Sequence, residues 1–476
     1  MINKFKSASW VLYDQLAQII SLIINILIIT KLFSPLDFGI YAIGMIIIGI
    51  VQQVFALGFS AALIQFNNHN KYYGSAWSLN LILAFILCFS LVVFIPSLVN
   101  IFFNSFVDYV FYFQLLSCCI LINALNNIGV IELFRTRETN KIFFIRGFLE
   151  LLKIIFIFLF FNIFADYRAL IFAFLSISII KLLISYIIAP VKNELGFDIQ
   201  LIKELFSFAG WIQLKNIGKV IANQLDSILI ASILSPISLG FYNRSIAISK
   251  VPEKLFQSIN EMLVFSYISE HRDNKSLISY CFDLYVFVTL LINGVICITF
   301  YFFGETLIEI ILGAKWMPVS KPILILLFST GFNTLSYLFF PFVRGLGFPK
   351  IEFKLFTLKL IVLMIIIYPL VLNYGIIGAA SANLISSLIL LPIVIENTKK
   401  IIGKSVRKVY FLAIIWVFPA FLLSLFYSFN YEGIIDLLVN AVLIIIIYSS
   451  SAIALTLFIY PKTTSNLTNI YKTLKK

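Results

Sequence analysis

The chain has 476 residues, of which 61% are hydrophobic and 12% are charged, and its formal net charge is +13. A soluble domain carries about 25% charged residues, so this composition excludes a soluble enzyme or binding module and predicts a polytopic membrane protein. The positive charge is spread over separate loops instead of forming one basic patch, which argues against a nucleic acid as partner.

Apolar segments about 20 residues long, the length of an α-helix that crosses a bilayer, recur along the chain. They predict an all-α fold with fourteen transmembrane helices, near residues 10–32, 40–64, 76–99, 108–131, 143–164, 168–189, 207–233, 240–264, 278–303, 320–342, 354–372, 376–395, 408–428 and 434–459. The connections are short. The expected boundary between the two halves is 190–206. The charge-rich linkers 132–146 and 396–408 are the next candidates for a boundary between lobes or subdomains.

The charges of the loops predict the orientation of the chain. The termini and the even-numbered loops hold 23 Lys and Arg residues, whereas the other loops hold four. Because positively charged loops stay in the cytoplasm, both termini are expected there. An even number of spans in each half also makes the halves parallel, related by an axis along the membrane normal.

One stretch of the chain occurs twice. Residues 27–41 read LIITKLFSPLDFGIY and residues 228–242 read ILIASILSPISLGFY, so that Ser34, Pro35 and Gly39 recur 201 residues later. Each copy predicts an apolar helix, a break at Ser-Pro and a second apolar helix. A repeat of this kind is typical of transporters built from two related halves.

The first helix of each half carries a polar stripe along one face, within an arc of about 80° at 100° per residue. On the seventh helix the stripe is formed by Lys215, Lys219, Asn223 and Asp226. Its counterpart on the first helix is formed by Asp14, Gln18 and Asn25. Charges at membrane depth are costly unless they meet water or a counter-charge, so the stripes predict the walls of a substrate-binding cavity.

Two more helices contribute polar residues to this predicted cavity. On the eighth helix these are Lys250, Lys254, Gln257 and Glu261, with Glu253 on the flank. On the fifth helix Lys153 shares a stripe with Arg146 and Glu150. The alternative interpretation is structural: Lys215, Lys181 and Lys359 would extend to the membrane surface, and Glu253 with Lys250 or Lys254, or Glu150 with Lys153, would form ion pairs.

Four acidic residues lie within predicted membrane spans and are candidates for binding a coupling ion, a proton or sodium. They are Asp14, Asp226, Glu253 and Glu261. No catalytic residue, metal site or cofactor is predicted, since His69 and His271 lie in separate loops and no phosphate-binding loop motif is complete.

Several motifs together resemble the polysaccharide transporter family, which holds the flippases for O-antigen, capsule and exopolysaccharide repeat units. The motifs are FSPLDFGIY (33–41), LGFSAALIQ (57–65), SAWSLNLIL (75–83), YNRSIAISKVPEKL (242–255), LGFPK (346–350) and YGIIGAASANLI (374–385). The family belongs to the superfamily of multidrug, oligosaccharidyl-lipid and polysaccharide exporters.

The resemblance implies two six-helix lobes around a central cavity, and the repeat with the predicted spans places these parallel lobes at 1–190 and 207–395. Two accessory helices at 408–459 and a cytoplasmic tail at 460–476 would complete the fold. It also implies a bacterial inner-membrane protein that moves undecaprenyl-pyrophosphate-linked oligosaccharide from the cytoplasmic to the periplasmic leaflet by alternating access. Expected partners are membrane lipid and, in the same pathway, a polysaccharide polymerase and a chain-length regulator.

The residues themselves fit such a substrate, because a pyrophosphate needs cations at membrane depth and sugar hydroxyls need Asn, Gln and Ser side chains. Two other functions remain open at this point. An ion-coupled multidrug exporter of the same superfamily is the second candidate, although an exporter of organic cations would be expected to carry acidic residues on its inner stripes. A non-transporting scaffold for polysaccharide assembly is the third, and it leaves the intramembrane charges unexplained.

Overall fold

A computed structural model of the chain describes residues 2–55, 63, 70–189, 191, 194–254, 275–345, 349–402 and 434–459. These residues are almost entirely helical, and none of them forms a strand. Within this part of the chain, seven helical stretches are long and apolar enough to cross a membrane. The all-α membrane fold predicted from hydropathy is therefore confirmed.

The first eight helices follow the order predicted from the sequence. Helix α1 covers residues 2–32 and contains a π-helical segment, Asn25–Ile29, and α5 covers residues 139–164 and contains a second one, Phe144–Phe148. The others are α2 (Pro35–Phe55), α3 (Asn70–Phe102), α4 (Val110–Ala124), α6 (Tyr167–Ile188), α7 (Ile199–Ile233) and α8 (Pro236–Ser249). A short helix, Val130–Thr136, connects α4 to α5.

The remaining helices begin after residue 274. Helices α9 (Lys275–Ile311) and α10 (Ser320–Gly345) are followed by the helical stretch Pro349–Ile402 and by α13 (Ile434–Ile459). The stretch Pro349–Ile402 is interrupted at Gly375, whose φ of 57° lies in the left-handed region that glycine adopts most readily, so it forms two helices, α11 (349–374) and α12 (376–402). This break agrees with the predicted boundary between 354–372 and 376–395. The predicted span 408–428 lies outside the described residues, and the total of fourteen stays a prediction.

The described helices group into two compact units, Met1–Arg244 and Ser245–Lys476. The first unit includes α7, which packs against α2 and α3. The predicted lobes at 1–190 and 207–395 are defined by the internal repeat, and they remain a prediction, as do the accessory helices at 408–459 and the tail at 460–476.

The Ser-Pro break of the repeat separates two helices in both copies, as predicted. Pro35 is the first residue of α2 and Pro236 is the first residue of α8, where the missing N–H of proline is tolerated. Both prolines therefore open the following helix. Ser34 precedes α2, and its hydroxyl accepts a hydrogen bond from the Asp37 N–H at 3.2 Å, while the Asp37 carboxylate accepts one from the Ser34 N–H at 2.8 Å. This reciprocal pair fixes the start of α2.

The two repeated glycines bring α2 and α8 into direct backbone contact. A Cβ atom added to Gly39 would lie 1.8 Å from the Pro236 carbonyl oxygen, and one added to Gly240 would lie 1.7 Å from the Pro35 carbonyl oxygen. Only residues without a side chain allow this approach, as is common where membrane helices cross. The contact is reciprocal, because each glycine meets the proline of the other repeat.

Gly39→Ala is therefore expected to destabilise the protein by about 1–3 kcal/mol, because a methyl group at this crossing forces the backbones of α2 and α8 apart. The measurement is the thermal unfolding midpoint of the purified protein in detergent. The matched control is Gly49→Ala on the same helix, where an added Cβ meets no atom within 4 Å. Equal unfolding midpoints for the two variants would contradict the tight crossing.

The segment between α6 and α7 is held against the first half of the chain. The Asn127 side-chain amide donates to the Val191 carbonyl at 2.9 Å. Ser78 and Ser75 accept hydrogen bonds from the backbone N–H groups of Gly196 and Asp198, each at 3.1 Å. These bonds satisfy backbone groups of an irregular segment and fix where α7 begins.

Candidate functional site

A buried arginine on α8 is the centre of the candidate site. Only 8% of the surface of Arg244 is exposed. One terminal nitrogen, Nη1, donates to the side-chain oxygen of Asn25 at 2.8 Å, and the other, Nη2, donates to the side-chain oxygen of Asn243 at 3.2 Å. The guanidinium lies over the Phe38 ring, 3.8 Å from its centroid. Three neighbours, on α1, α2 and α8, thus hold this side chain.

The position of Asn25 depends on the π-helical segment of α1. Both the N–H and the hydroxyl of Thr30 donate to the Asn25 carbonyl, the hydroxyl at 2.9 Å, which is the five-residue spacing of a π-helix. A π-segment adds one residue to a turn and changes the direction of the side chains around it. The wider turn begins at the residue whose side chain binds Arg244.

The charge of Arg244 is not compensated within the described residues, where no carboxylate lies within ion-pairing distance. Its Nε is buried and has no hydrogen-bond partner. The buried carboxylate on α7, Asp226, is bound elsewhere: its Oδ2 accepts from the Tyr242 hydroxyl at 2.7 Å and its Oδ1 from the Ser227 N–H at 2.8 Å. Burial of an unpaired charge is costly. A guanidinium with free donors is suited to binding an anionic oxygen.

A second polar cluster lies between α1 and α5. The Gln18 amide donates to Asp14 at 2.9 Å, and Arg146 lies 3.9 Å from the same carboxylate. One turn further along α1, the Ser21 hydroxyl donates to the Glu150 carbonyl at 3.2 Å. Glu150 in turn forms an ion pair with Lys153. The stripe predicted on the fifth helix therefore faces the stripe predicted on the first.

Half of this second cluster is accessible. The side chains of Arg146 and Glu150 are 50% and 44% exposed, and that of Lys153 is 25% exposed. Trp10 lies on the same helix as Asp14 and packs against Phe143, with their ring centroids 5.4 Å apart. Exposed polar groups can form hydrogen bonds to a sugar, and an aromatic ring beside them can pack against the apolar face of that sugar.

The other predicted site residues have different surroundings. Asn223 and Lys254 are exposed, and Lys250 and Glu253 are half-buried. The side chains of Lys215 and Lys219 lie outside the described part of α7, and Gln257 and Glu261 lie outside the described residues altogether. The structure therefore brings Asp14 and Gln18 of α1 together with the predicted stripe of α5. Of the predicted lysines on α7 and α8, only the side chains of Lys250 and Lys254 lie within the described part of the chain.

Lys359, which the structural alternative would extend to the membrane surface, instead forms a hydrogen bond inside the second unit. Lys359 on α11, a candidate for reaching the membrane surface, donates to the Asn333 side-chain oxygen on α10. The Ser387 hydroxyl on α12 donates to the same oxygen at 2.9 Å. Lys359 thus belongs to a polar core that joins three helices of the second unit.

Sequence reasoning missed Arg244. The 201-residue repeat places Ile43 at the equivalent position of α2, and Arg244 does not share the face of Lys250 and Lys254. The available signal was a single arginine in an apolar helix, in a position where the first copy has an aliphatic residue. Within the described residues, no group of three metal-binding side chains is present.

Comparison with known proteins gives a consistent result. The family model described as "Polysaccharide biosynthesis protein" matches residues 28–321. A Shigella flexneri protein described as "Putative O-antigen transporter" is 24% identical, over 79% of this chain and 93% of that protein.

Two solved structures share the fold of this chain. The lipid II flippase MurJ, in an inward closed conformation, has a TM-score of 0.73 and is 16% identical, over 95% of this chain and 99% of its own. An inward-facing multidrug resistance MATE family transporter of the MOP superfamily has a TM-score of 0.60 and is 13% identical, over 84% of this chain and 96% of its own.

Proposed function

The chain belongs to the polysaccharide biosynthesis protein family, and from this premise we propose that it is a flippase for lipid-linked oligosaccharide. Its substrate would be an undecaprenyl-pyrophosphate-linked repeat unit, moved from the cytoplasmic to the periplasmic leaflet of a bacterial inner membrane. The protein would act within surface polysaccharide biosynthesis, beside the polymerase and the chain-length regulator of the pathway.

Arg244 is the observation that carries this proposal. It is a buried cation without a carboxylate partner in the described residues, and two of its neighbours are uncharged amides. A pyrophosphate supplies the missing negative charge, and its oxygens fit the fork of guanidinium donors. Lys219 and Lys250, which lie on the polar stripes predicted from the sequence, stay proposed as further cations for substrate binding.

The sugars would bind the cluster between α1 and α5. Glu150, Lys153 and Arg146 are accessible there and supply both donors and acceptors for hydroxyl groups. Trp10 adds an aromatic face nearby. Asp14, Gln18, Asn223, Asp226, Lys215, Lys254 and Gln257 stay candidate contacts, and the isoprenoid chain would remain in the surrounding lipid.

Alternating access requires helices that separate at one membrane surface. The crossing of α2 and α8 at Gly39 and Gly240 lies at the start of both helices, which the loop charges orient toward the periplasm. We infer that these helices part there when the cavity opens outward. Asp14, Asp226, Glu253 and Glu261 remain candidates for a coupling proton or sodium ion, and two of them, Asp14 and Asp226, already accept hydrogen bonds within the protein.

An exporter of organic cations fits the site less well. The fold resembles that of a multidrug transporter, but a cationic drug would meet the unpaired positive charge of Arg244. Placing two like charges in a medium of low dielectric costs several kcal/mol, roughly 4 kcal/mol at 4 Å for an effective dielectric constant of 20.

Deleting the gene in its own cells is expected to abolish surface polysaccharide and to accumulate lipid-linked repeat units in the cytoplasmic leaflet. The measurement is the mass spectrum of extracted lipids, combined with leaflet labelling by an impermeant reagent. Restoring the gene should remove the accumulated lipid. Normal surface polysaccharide after deletion, or accumulation in the periplasmic leaflet, would contradict the proposed function.

A further inference from the structure

We propose that Asn25 is a positioning residue that holds the Arg244 guanidinium through an uncharged bond, so that the whole positive charge of Arg244 stays available to the substrate. Phe38 supports the same arrangement from α2. This inference rests on the proposed function, since it concerns the headgroup site of the flippase.

The contacts of the guanidinium hold it in place without neutralising its positive charge. Nη1 is bound by the Asn25 amide oxygen at 2.8 Å and Nη2 by the Asn243 amide oxygen at 3.2 Å. The Phe38 ring supports one face of the planar group at 3.8 Å. Amide oxygens satisfy N–H donors without supplying a negative charge, and aromatic faces stabilise a cation while leaving its edge free.

The donor count leaves capacity for a ligand. A guanidinium has five N–H groups, and the two amide oxygens use two of them. The Nε–H is buried without a partner among the described residues. The buried carboxylate of Asp226 on α7 accepts hydrogen bonds from other groups, the Tyr242 hydroxyl and the Ser227 N–H. The site therefore holds an oriented cation with unused donors.

This arrangement predicts that a negative charge introduced at position 25 lowers the affinity for the headgroup. An aspartate at this position would still accept the bond from Nη1, but it would also pair with Arg244 and compete with the pyrophosphate for its charge. If Asn25 had a purely structural role, Asn25→Asp would bind the headgroup more tightly than Asn25→Ala, since a carboxylate is at least as good an acceptor as an amide.

The test is the binding of undecaprenyl pyrophosphate to the purified full-length protein in nanodiscs, with thermal unfolding measured in parallel. Asn25→Asp is expected to raise the Kd at least about tenfold and more than Asn25→Ala does, with an unfolding midpoint equal to or above that of the wild type. Asn243→Asp places a carboxylate on the other terminal nitrogen and should weaken binding in the same way. This second variant keeps the test valid if Asn25→Asp does not fold. The control is Asn162→Asp, the same chemical change at an exposed residue of α5, which should leave the Kd unchanged.

The outcomes distinguish this inference from the proposed function. If Arg244→Ala binds undecaprenyl pyrophosphate as the wild type does, the proposed headgroup site itself is wrong. If Arg244→Ala loses binding while Asn25→Asp binds as well as or better than Asn25→Ala, the headgroup site stands and the uncharged clamp is refuted.

Discussion

Arg244→Ala is expected to reduce transport of the lipid-linked oligosaccharide by at least about a hundredfold. The reason is electrostatic: a doubly charged headgroup that leaves water needs a fixed cation to offset its loss of hydration, and Arg244 is a buried cation without a counter-charge in the described part of the chain. Arg244→Lys should retain part of the activity, because it keeps the charge but loses the planar fork of donors.

Stability should change much less than transport. Removing an unpaired buried charge relieves a desolvation cost, and this offsets the loss of the hydrogen bonds to Asn25 and Asn243, so the unfolding midpoint of Arg244→Ala should stay close to that of the wild type. The matched control is Arg168→Ala on α6, where the arginine is more exposed and forms an ion pair with Asp166 at 2.8 Å. Surface-polysaccharide export should stay near the wild-type level in this control. Normal export by Arg244→Ala, or loss of transport that only follows loss of folded protein, would contradict the proposed role.

Lys219→Ala and Lys250→Ala are also expected to abolish flipping without lowering the amount of folded protein in the membrane. Both lysines lie on the polar stripes that the sequence predicts for α7 and α8, where the first half of the chain has Gln18 and Gly49. Lys→Arg variants should keep part of the activity, because the charge matters more than the shape for a flexible phosphate contact.

A surface lysine provides the control for this pair. Lys400 on α12 has a 70% exposed side chain and lies 3.9 Å from Glu396, so Lys400→Ala should export polysaccharide normally. The readouts are surface polysaccharide and the amount of folded protein in membranes. If both alanine variants of Lys219 and Lys250 export normally, these lysines have structural roles and the headgroup is bound without them.

The order of the helices was predictable from the sequence because a bilayer requires long apolar segments. The breaks were predictable too, since Ser34 with Asp37 forms a helix start and Gly375 permits a left-handed backbone. The direct contact of Gly39 with Gly240 was not predictable, although the repeat marked both residues. It depends on how two helices separated by about 200 residues cross, and local pattern carries no information on that.

The candidate site was predictable in part. The polar faces of α1 and α5 meet, because charged residues in a membrane protein turn toward one another. The bond between Asn25 and Arg244 was not foreseen: the stripe on the first helix made Asn25 a direct substrate contact, whereas the structure places it against an arginine 219 residues away. The π-segment that begins at Asn25 also changes the helical periodicity on which the stripe was based.

Translocation in a defined membrane tests the central claim most directly. Purified protein is reconstituted into liposomes that contain a labelled undecaprenyl-pyrophosphate-linked oligosaccharide. Impermeant periodate, added outside, oxidises only the sugars in the outer leaflet, so the rate of oxidation of the remaining sugars measures how fast they cross from the inner leaflet. We predict rapid equilibration with the wild-type protein. Rates close to those of protein-free liposomes are expected for Arg244→Ala and for the same oligosaccharide on uncharged undecaprenol. Equal rates for the pyrophosphate-linked and uncharged lipids, or a wild-type rate no faster than that of protein-free liposomes, would contradict the account.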